Sequence, residues 1–278
     1  RGAAPQFSIW HDLNRDQRVT ENEVSILPDA EAKKRGLQLV SWDANITDDG
    51  TVYIGNMAFP LLDVENGIPR YTWDNVKAIP LSLPNILAIG ADDRGNRYYG
   101  TAQLDEQGKF PGLTFWAKRI GEQHITKYTS DGKRLWRVGR KAMARVQNGE
   151  FSYMTSLDWV GGFVFAADMD GFVNVYTDDG LFLTRMFRGQ REGADPGKDP
   201  YSITAHELGQ ARSYRNPQDG QTYLVSQSLE GGEHIRVYAI EGLDQVKRAR
   251  GKFEVSAADL ANVKPRPPRN TMESQKLS

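Results

Sequence analysis

"YMTSLDWVGGFVFAADMDGFVNVYTDDGLFLTRMF", residues 153–187, is the most regular stretch of the chain. Four runs rich in β-forming residues, "YMTSLDWV", "FVFAAD", "FVNVYT" and "LFLTRMF", are separated by "GG", "MDG" and "DDG". Such runs, bounded by Gly and Asp, read as strands joined by tight hairpins. Four strands in this order form an antiparallel sheet that cannot bury both faces alone, so it must stack on sheets like itself. That is the blade of a β-propeller.

The rest of the chain repeats parts of this unit. "HITKYTSDG" (124–132), "FVNVYTDDG" (172–180) and "HIRVYAIEG" (234–242) align without gaps, each with tyrosine at the fifth place (Tyr128, Tyr176, Tyr238) and a turn glycine at the ninth. A turn glycine followed by a β-rich run recurs in "DDGTVYIGN" (48–56), "DRGNRYYGT" (93–101), "GGFVFAADM" (161–169) and "QDGQTYLVS" (218–226). The fold class expected is therefore all-β, a propeller with about four recognisable four-stranded blades. The shared tyrosines are expected to pack between neighbouring blades.

At 278 residues and 39% hydrophobic content the chain is long for one domain unless that domain is all-β. A formal charge of −1 supplies no field for a polyanion, so nucleic acid is not an expected partner. Without cysteine, disulfides, thiol catalysis and zinc-cysteine sites are excluded. The longest apolar run, "PLSLPNILAIGA", is short and broken by prolines, so no membrane span is expected. The opening "RGAAPQ" has no Met, which reads as a processed or truncated chain.

One stretch stands outside the repeat. "DLNRDQRVTENE", residues 12–23, places oxygen-bearing positions at the spacing of an EF-hand loop: Asp12, Asn14, Asp16, Arg18 through its backbone carbonyl, Thr20, and Glu23 closing the run. Ca²⁺ takes about 6–8 oxygens from these positions. Gln17 stands where the loop wants glycine, because the turn needs a positive φ, and this departure should weaken binding. The alternative is a polar surface turn, since Asp, Asn and Thr also cap turns locally. "PQFSIW" (5–10) reads as a strand entering the loop, and "TENEVSIL" as a helix leaving it, with Thr20 as N-cap and Glu23 closing a capping box. A lone strand-loop-helix site fits a structural clamp better than a switch.

The run "DWVGGFVFAADMDGFVNVYTDDGLFLTRMF" resembles an NHL-type blade of a six-bladed β-propeller, and the resemblance extends over about residues 40–255. The opening loop resembles insertions in secreted bacterial propellers. The resemblance implies a secreted or periplasmic protein and a six-bladed ring. A missing N-terminal part or another subunit would then complete the ring. The organisation expected is a blade-edge strand plus calcium loop at 1–35, blades at 36–256, and an extended or flexible tail at 257–278.

Function is read from the loops and histidines. Long unequal loops carry Trp73, Phe115, Trp116, Arg140, Lys141, Arg145, Arg188 and Arg191, a mix suited to sugars or carboxylates, or else simply anchoring aromatics and surface charge. His124 and His234 share a repeat position, but Phe172 fills the third, so a symmetric histidine ring fails; both read as strand-edge residues. His206 falls near an innermost strand, His11 adjoins the loop pointing away, and "DMDG" (168–171) reads as a hairpin turn. P-loop, GxSxG and HExxH motifs are absent. No carboxylate cluster is expected on innermost strands. The favoured function is thus a calcium-stabilised binding or scaffold module for a protein or carbohydrate partner on the loop face. The alternative is a propeller enzyme (a lyase, lactonase or quinone-dependent sugar oxidoreductase) working on the axis.

Overall fold

Apolar residues on both faces of a strand demand cover on both faces, and β9 (Ile86–Ala91), buried at every position, shows that demand met. The computed structural model describes residues 6–38, 43–79, 86–102, 123–139, 151, 153–187, 208–228, 235–247 and 256–261. The chain divides into two compact units, 1–241 and 242–278. The second contains a 3-10 turn at Leu243–Gln245, entered through Gly242 at φ +81°, and a short helix at Ala257–Ala261. That helix lies in the stretch expected to be extended or flexible.

The first unit begins with a two-stranded ribbon, β1 (Gln6–Trp10) paired antiparallel with β2 (Val24–Pro28), Trp10 opposite Val24. Four sheets come after it. The first blade is β3 (Ala44–Ile46), β4 (Val52–Ile54), β5 (Met57–Phe59) and β8 (Lys77–Ala78), with the hairpin β6 (Asp63–Glu65) and β7 (Ile68–Arg70) inserted before its last strand. The second is β9, β10 (Arg97–Ala102), β11 (Gln123–Tyr128) and β12 (Arg134–Val138). The third is β13 (Met154–Val160), β14 (Phe163–Asp168), β15 (Val173–Thr177) and β16 (Phe182–Met186), the four strands read from 153–187. The fourth is β17 (Leu208–Arg215), β18 (Thr222–Ser228) and β19 (Ile235–Ile240), three strands among the described residues.

These sheets make a four-blade propeller arrangement. Innermost strands β3, β9, β13 and β17 pack in succession, and burial falls from them toward the exposed outer strands β12 and β16. Close approach of two inner strands requires glycine: a Cβ on Gly90 would stand 3.0 Å from the Leu157 carbonyl oxygen. Leu87, Tyr98 and Ile125 of the second blade pack with Leu157, Val164 and Tyr176 of the third in one apolar cluster. A second cluster joins Tyr53 and Ala58 of the first blade to Ile89 and Tyr99 of the second.

The shared tyrosines lie where the repeat puts them. Tyr128 packs on Tyr99 at the boundary with the first blade, Tyr176 sits in the cluster between the second and third, and Tyr238 meets Phe187 of the third at 4.9 Å. Two expectations need correction. No helix follows the 12–23 loop: Glu21–Glu23 form one 3-10 turn and the chain re-enters as β2, because "VSIL" pairs with β1. Helix α1 (Asp29–Lys34) begins only after Pro28. The strand at 5–10 is likewise not a blade edge but half of the ribbon, whose core with α1 and the first blade contains Phe7, Leu27, Ala32 and Trp73.

Tyr176 is 2% exposed, so Tyr176→Ala should cost about 3–5 kcal/mol in urea unfolding. Leu181→Ala, at an exposed position of the same blade, should change stability by no more than about 0.5 kcal/mol. Equal effects of the two would contradict the blade packing.

Candidate functional site

The 12–23 loop is held closed by its own backbone. The His11 amide donates to the Glu23 carbonyl (3.1 Å) and the Glu23 amide to the Thr20 carbonyl (3.1 Å), so the ends of the loop meet at the mouth of the ribbon. Arg15 and Gln17 both adopt the left-handed region, at φ +59° and +58°; Gln17 thus accepts the conformation that favours glycine. Ligand atoms of Asp12, Asp16 and Glu23 all lie within 4.8 Å of one another.

The remaining predicted ligands knit the turn. Asn14 Oδ1 accepts from the Asp16 amide (2.9 Å), Asp16 Oδ1 from the Arg18 amide (2.8 Å), and Asp12 Oδ2 from the Gln17 amide (3.0 Å). The Thr20 hydroxyl donates to Glu23 Oε2 (2.7 Å) instead of capping a helix. Glu23 is buried, and hydrogen bonds, that from Thr20 first, hold its carboxyl below the usual range. Asp12 Oδ1 is buried with no hydrogen-bond partner. An orphaned oxygen beside two further carboxylates fits a hard cation, because three like charges this close repel unless neutralised.

The other sequence candidates separate. Trp73 is core: its indole donates to the Ser25 carbonyl (3.1 Å) and packs edge-on against Phe59 and Phe7. His11 does face away from the loop; its Nε2 accepts from the Tyr71 amide at 2.9 Å, which requires the neutral ring. Burial and the Arg70 guanidinium lower its pKa accordingly. His124 meets Arg137 on the neighbouring strand, and 168–171 is the β14–β15 turn, with Gly171 donating to the Asp168 carbonyl. Phe115, Trp116, Arg140, Lys141, Arg145, Arg188, Arg191, His206 and His234 lie outside the described residues.

The expectation of no carboxylate cluster on innermost strands is overturned. Asp43, at the entry to β3, and Asp158, on β13, share the guanidinium of Arg212 on β17. Arg212 reaches Asp158 Oδ1 at 3.0 Å, the Ala44 carbonyl at 2.5 Å, and Asp43 Oδ1. Asp43 Oδ2 accepts from the Ile89 amide (2.8 Å) and Asp158 Oδ2 from the Ser213 amide (2.8 Å), while Asn45 donates to Asp158 Oδ1 (3.1 Å). One network thus binds the inner strands of all four blades. Burial first, then the neighbouring Asp158, pushes the Asp43 carboxyl up to about 7, against the pull of Arg212. Burial also raises Asp158. With two carboxylates to one guanidinium, the pair holds a proton that separate groups would release. Sequence inspection misses this network because the three residues stand far apart in the chain and belong to no repeat.

Above the triad opens a cavity of about 820 Å³, lined by the inner strands and their first turns, including Asp48, Asp93, Trp159, Ser213 and Tyr214. A second ion cluster seals the second blade to the third. Asp178 Oδ1 accepts from Lys127 (2.5 Å), Tyr98 (2.6 Å) and Trp159 (3.2 Å), and its Oδ2 from Arg94 (2.7 Å). Burial alone would raise the Asp178 carboxyl, but the bonds from Lys127, Tyr98 and Arg94 outweigh it and hold it well below the usual carboxylate range.

No protein-family model matches the chain, and no curated protein matches its sequence. Among solved structures it is similar to Sqt1 from Saccharomyces cerevisiae (TM-score 0.40, 11% identity, 77% of this chain and 48% of that one). It is also similar to the WD40 β-propeller domain of Doa1 (0.34, 10%, 70% and 47%). BamB from Moraxella catarrhalis matches at 0.32 and 15%, over 69% and 55%. The chain spans about half the length of these structures. Likeness this loose says nothing of function, and the propeller arrangement rests on the sheets themselves.

The two ion networks have opposite pH dependence. Asp43 keeps its proton in the folded state up to about pH 7, whereas an unfolded aspartate releases it near about pH 4. Between those values the native state binds more protons, so stability falls as pH rises from about 4 to about 7 and levels off above. Asp178, with its pKa depressed, contributes stability that is full above about pH 4 and lost as pH falls. Asp43→Asn should therefore flatten the decline between about pH 4 and 7 in urea midpoints, and Asp178→Asn should remove the acid limb instead. Retention of the full decline in Asp43→Asn would rule out this assignment.

Proposed function

We propose that the chain is a calcium-stabilised β-propeller that binds a protein or carbohydrate partner at the mouth of its axis, in a secreted or periplasmic setting. The observation that carries the binding role is the state of the axial carboxylates: each of the four oxygens of Asp43 and Asp158 already accepts a bond from the fold. Asp43 keeps lone pairs for the proton it holds, but both carboxylates are fixed to the inner strands of other blades, beneath a cavity wide enough for a ligand. The loop is the stabilising element. Asp12, Asn14, Asp16, the Arg18 carbonyl, Thr20 and Glu23 would hold one Ca²⁺, and the ion would supply the charge that their convergence lacks. The NHL-like blades belong to a six-bladed ring that further chain or a second subunit would complete.

A second reading keeps one observation. An aspartate with a pKa of about 7 on a propeller axis suits acid–base chemistry near neutrality, as in a lyase or lactonase. Zinc, iron or a quinone absorbance in the isolated protein would favour it; calcium alone favours the first.

Calcium at about ten to a hundred times its dissociation constant should stabilise the fold by roughly 1.4–2.7 kcal/mol. Affinity in the range of extracellular sites, about 10⁻⁴–10⁻³ M, is expected because Gln17 takes the glycine position. Thermal melts should rise with calcium and fall with chelator, and Glu23→Ala should abolish both responses. No calcium heat at millimolar concentration would end this reading of the loop.

A further inference from the structure

Cations inside this fold are paired with aspartates, with one exception. Lys127, 3% exposed, has two of them, Asp178 at 2.5 Å and Asp92 at 3.3 Å. Arg212 also has two, Asp43 and Asp158. Arg97, on β10, is 4% exposed, and among the described residues no carboxylate pairs with it. Two aspartates, Asp49 and Asp92, act on the neighbouring Tyr53, but both are engaged elsewhere. Asp92 is bound to Lys127 and Tyr98, and Asp49 to Thr47 and Thr51 of its own turn.

What the Arg97 guanidinium does touch is neutral. Its Nη1 donates to the Asn56 carbonyl (3.1 Å), and its face lies over the Tyr53 ring, 5.2 Å from the centroid. These contacts use one N–H and attract the cation, but they leave it without a counter-charge. Its Nε is buried with no hydrogen-bond partner. A buried charge is stable when paired, and one left alone carries its full desolvation penalty.

A second, independent observation points to the same place. Tyr99 stands two positions along the same strand and therefore on the same face. It is 0% exposed, and its hydroxyl too is buried without a hydrogen-bond partner. Burial raises the pKa of that phenol, and the Arg97 guanidinium beside it pulls the other way. Ala58, Ile79, Ile86 and Ile89 cluster with Tyr99 between the first and second blades, so no protein acceptor is at hand. Two donors, an N–H and an O–H, thus meet in an apolar junction beside an uncompensated positive charge.

The ligand these groups call for accepts two hydrogen bonds and carries one negative charge. Water would answer the donors but not the charge. An organic acid would bring a stem, for which residues this deeply buried leave no way out. We propose that Arg97 and Tyr99 hold a small monovalent inorganic anion of the chloride class between the first and second blades. The site goes beyond the binding-module reading and depends neither on calcium nor on the axial cavity.

The test is the thermal melt of the full chain in sodium gluconate, exchanged stepwise for sodium chloride at constant ionic strength and constant calcium. Gluconate is too large for a buried site, so ionic strength and anion binding separate. The melting temperature should rise saturably with chloride, by roughly 5–10 °C at about a hundred times the dissociation constant. Arg97→Met removes the charge at similar side-chain length; it should melt at least as high as the parent in gluconate and show no rise with chloride. Tyr99→Phe keeps the charge and loses one donor, so its rise should persist with affinity about three- to tenfold weaker. Crystals grown in bromide should show an anomalous peak between Arg97 Nε and Tyr99 Oη. If Arg97→Met does not fold, the Tyr99→Phe melt and the bromide peak decide. The proposal is overturned by a parent melt indifferent to chloride, by an Arg97→Met chain that responds as the parent does, by a Tyr99→Phe chain of unchanged affinity, or by bromide crystals with no anomalous peak at that place, where water alone would then sit.

Discussion

The second and third blades of this protein have strands buried on both faces, and no sheet of that kind is stable in isolation. Everything else in the fold answers that constraint. The β9 strand is buried at every position because first- and third-blade strands cover it, and β16, with nothing outside it, is largely exposed. Apolar area removed from water stabilises by about 25 cal/mol per Å² wherever it is buried. That contribution is nondirectional: it holds the blades together without setting their register.

Register comes from the polar contacts between blades. Asp178 receives hydrogen bonds from Lys127, Tyr98 and Arg94 on the second blade, and Gly180 beside it leaves room for the Trp136 ring, which a Cβ would meet at 2.9 Å. Sliding the third blade by one residue would break all of these at once and leave the buried Lys127 with only Asp92, at 3.3 Å, as its anion. Buried ion pairs of this kind add little net stability compared with apolar packing, yet breaking one is expensive. They therefore act as a penalty on wrong arrangements. Arg212 does the same across the axis, joining Asp43 of the first blade to Asp158 of the third.

Legibility in the sequence divides along the same line. Strand number and order in the third blade are readable, because alternation and glycine turns are local: Gly132, Gly180 and Gly220 all take positive φ in hairpins. The loop at 12–23 is readable for its spacing, since an EF-hand pattern is a local code. The segment after the loop misleads, because "TENEVSIL" contains both a capping box and a β-rich run, and pairing with β1, a tertiary event, decides between them. Trp73 reads as part of a binding loop because sequence does not reveal that the chain folds back over β1 and β2. The axial triad is invisible for a stronger reason. Asp43, Asp158 and Arg212 come from three blades, and only closure of the inner strands around a common line makes them neighbours.

The turns also explain how one device yields two uses of charge. "TDDG" occurs at 47–50 and at 177–180, and in both the threonine hydroxyl donates to the second aspartate (Asp49 at 2.6 Å, Asp179 at 2.5 Å) while the glycine amide closes on the threonine carbonyl. That second aspartate serves the turn itself. The first is left free of the turn's own requirements, so its role depends on what the neighbouring blade presents. At Asp178 the second blade offers Lys127, Tyr98 and Arg94, and the carboxylate becomes a latch. At Asp48 the side chain stands exposed in the lining of the axial cavity. A repeated hairpin thus supplies an anionic group at the same place in the first and third blades, and the neighbouring blade determines whether it is consumed by folding or stays exposed.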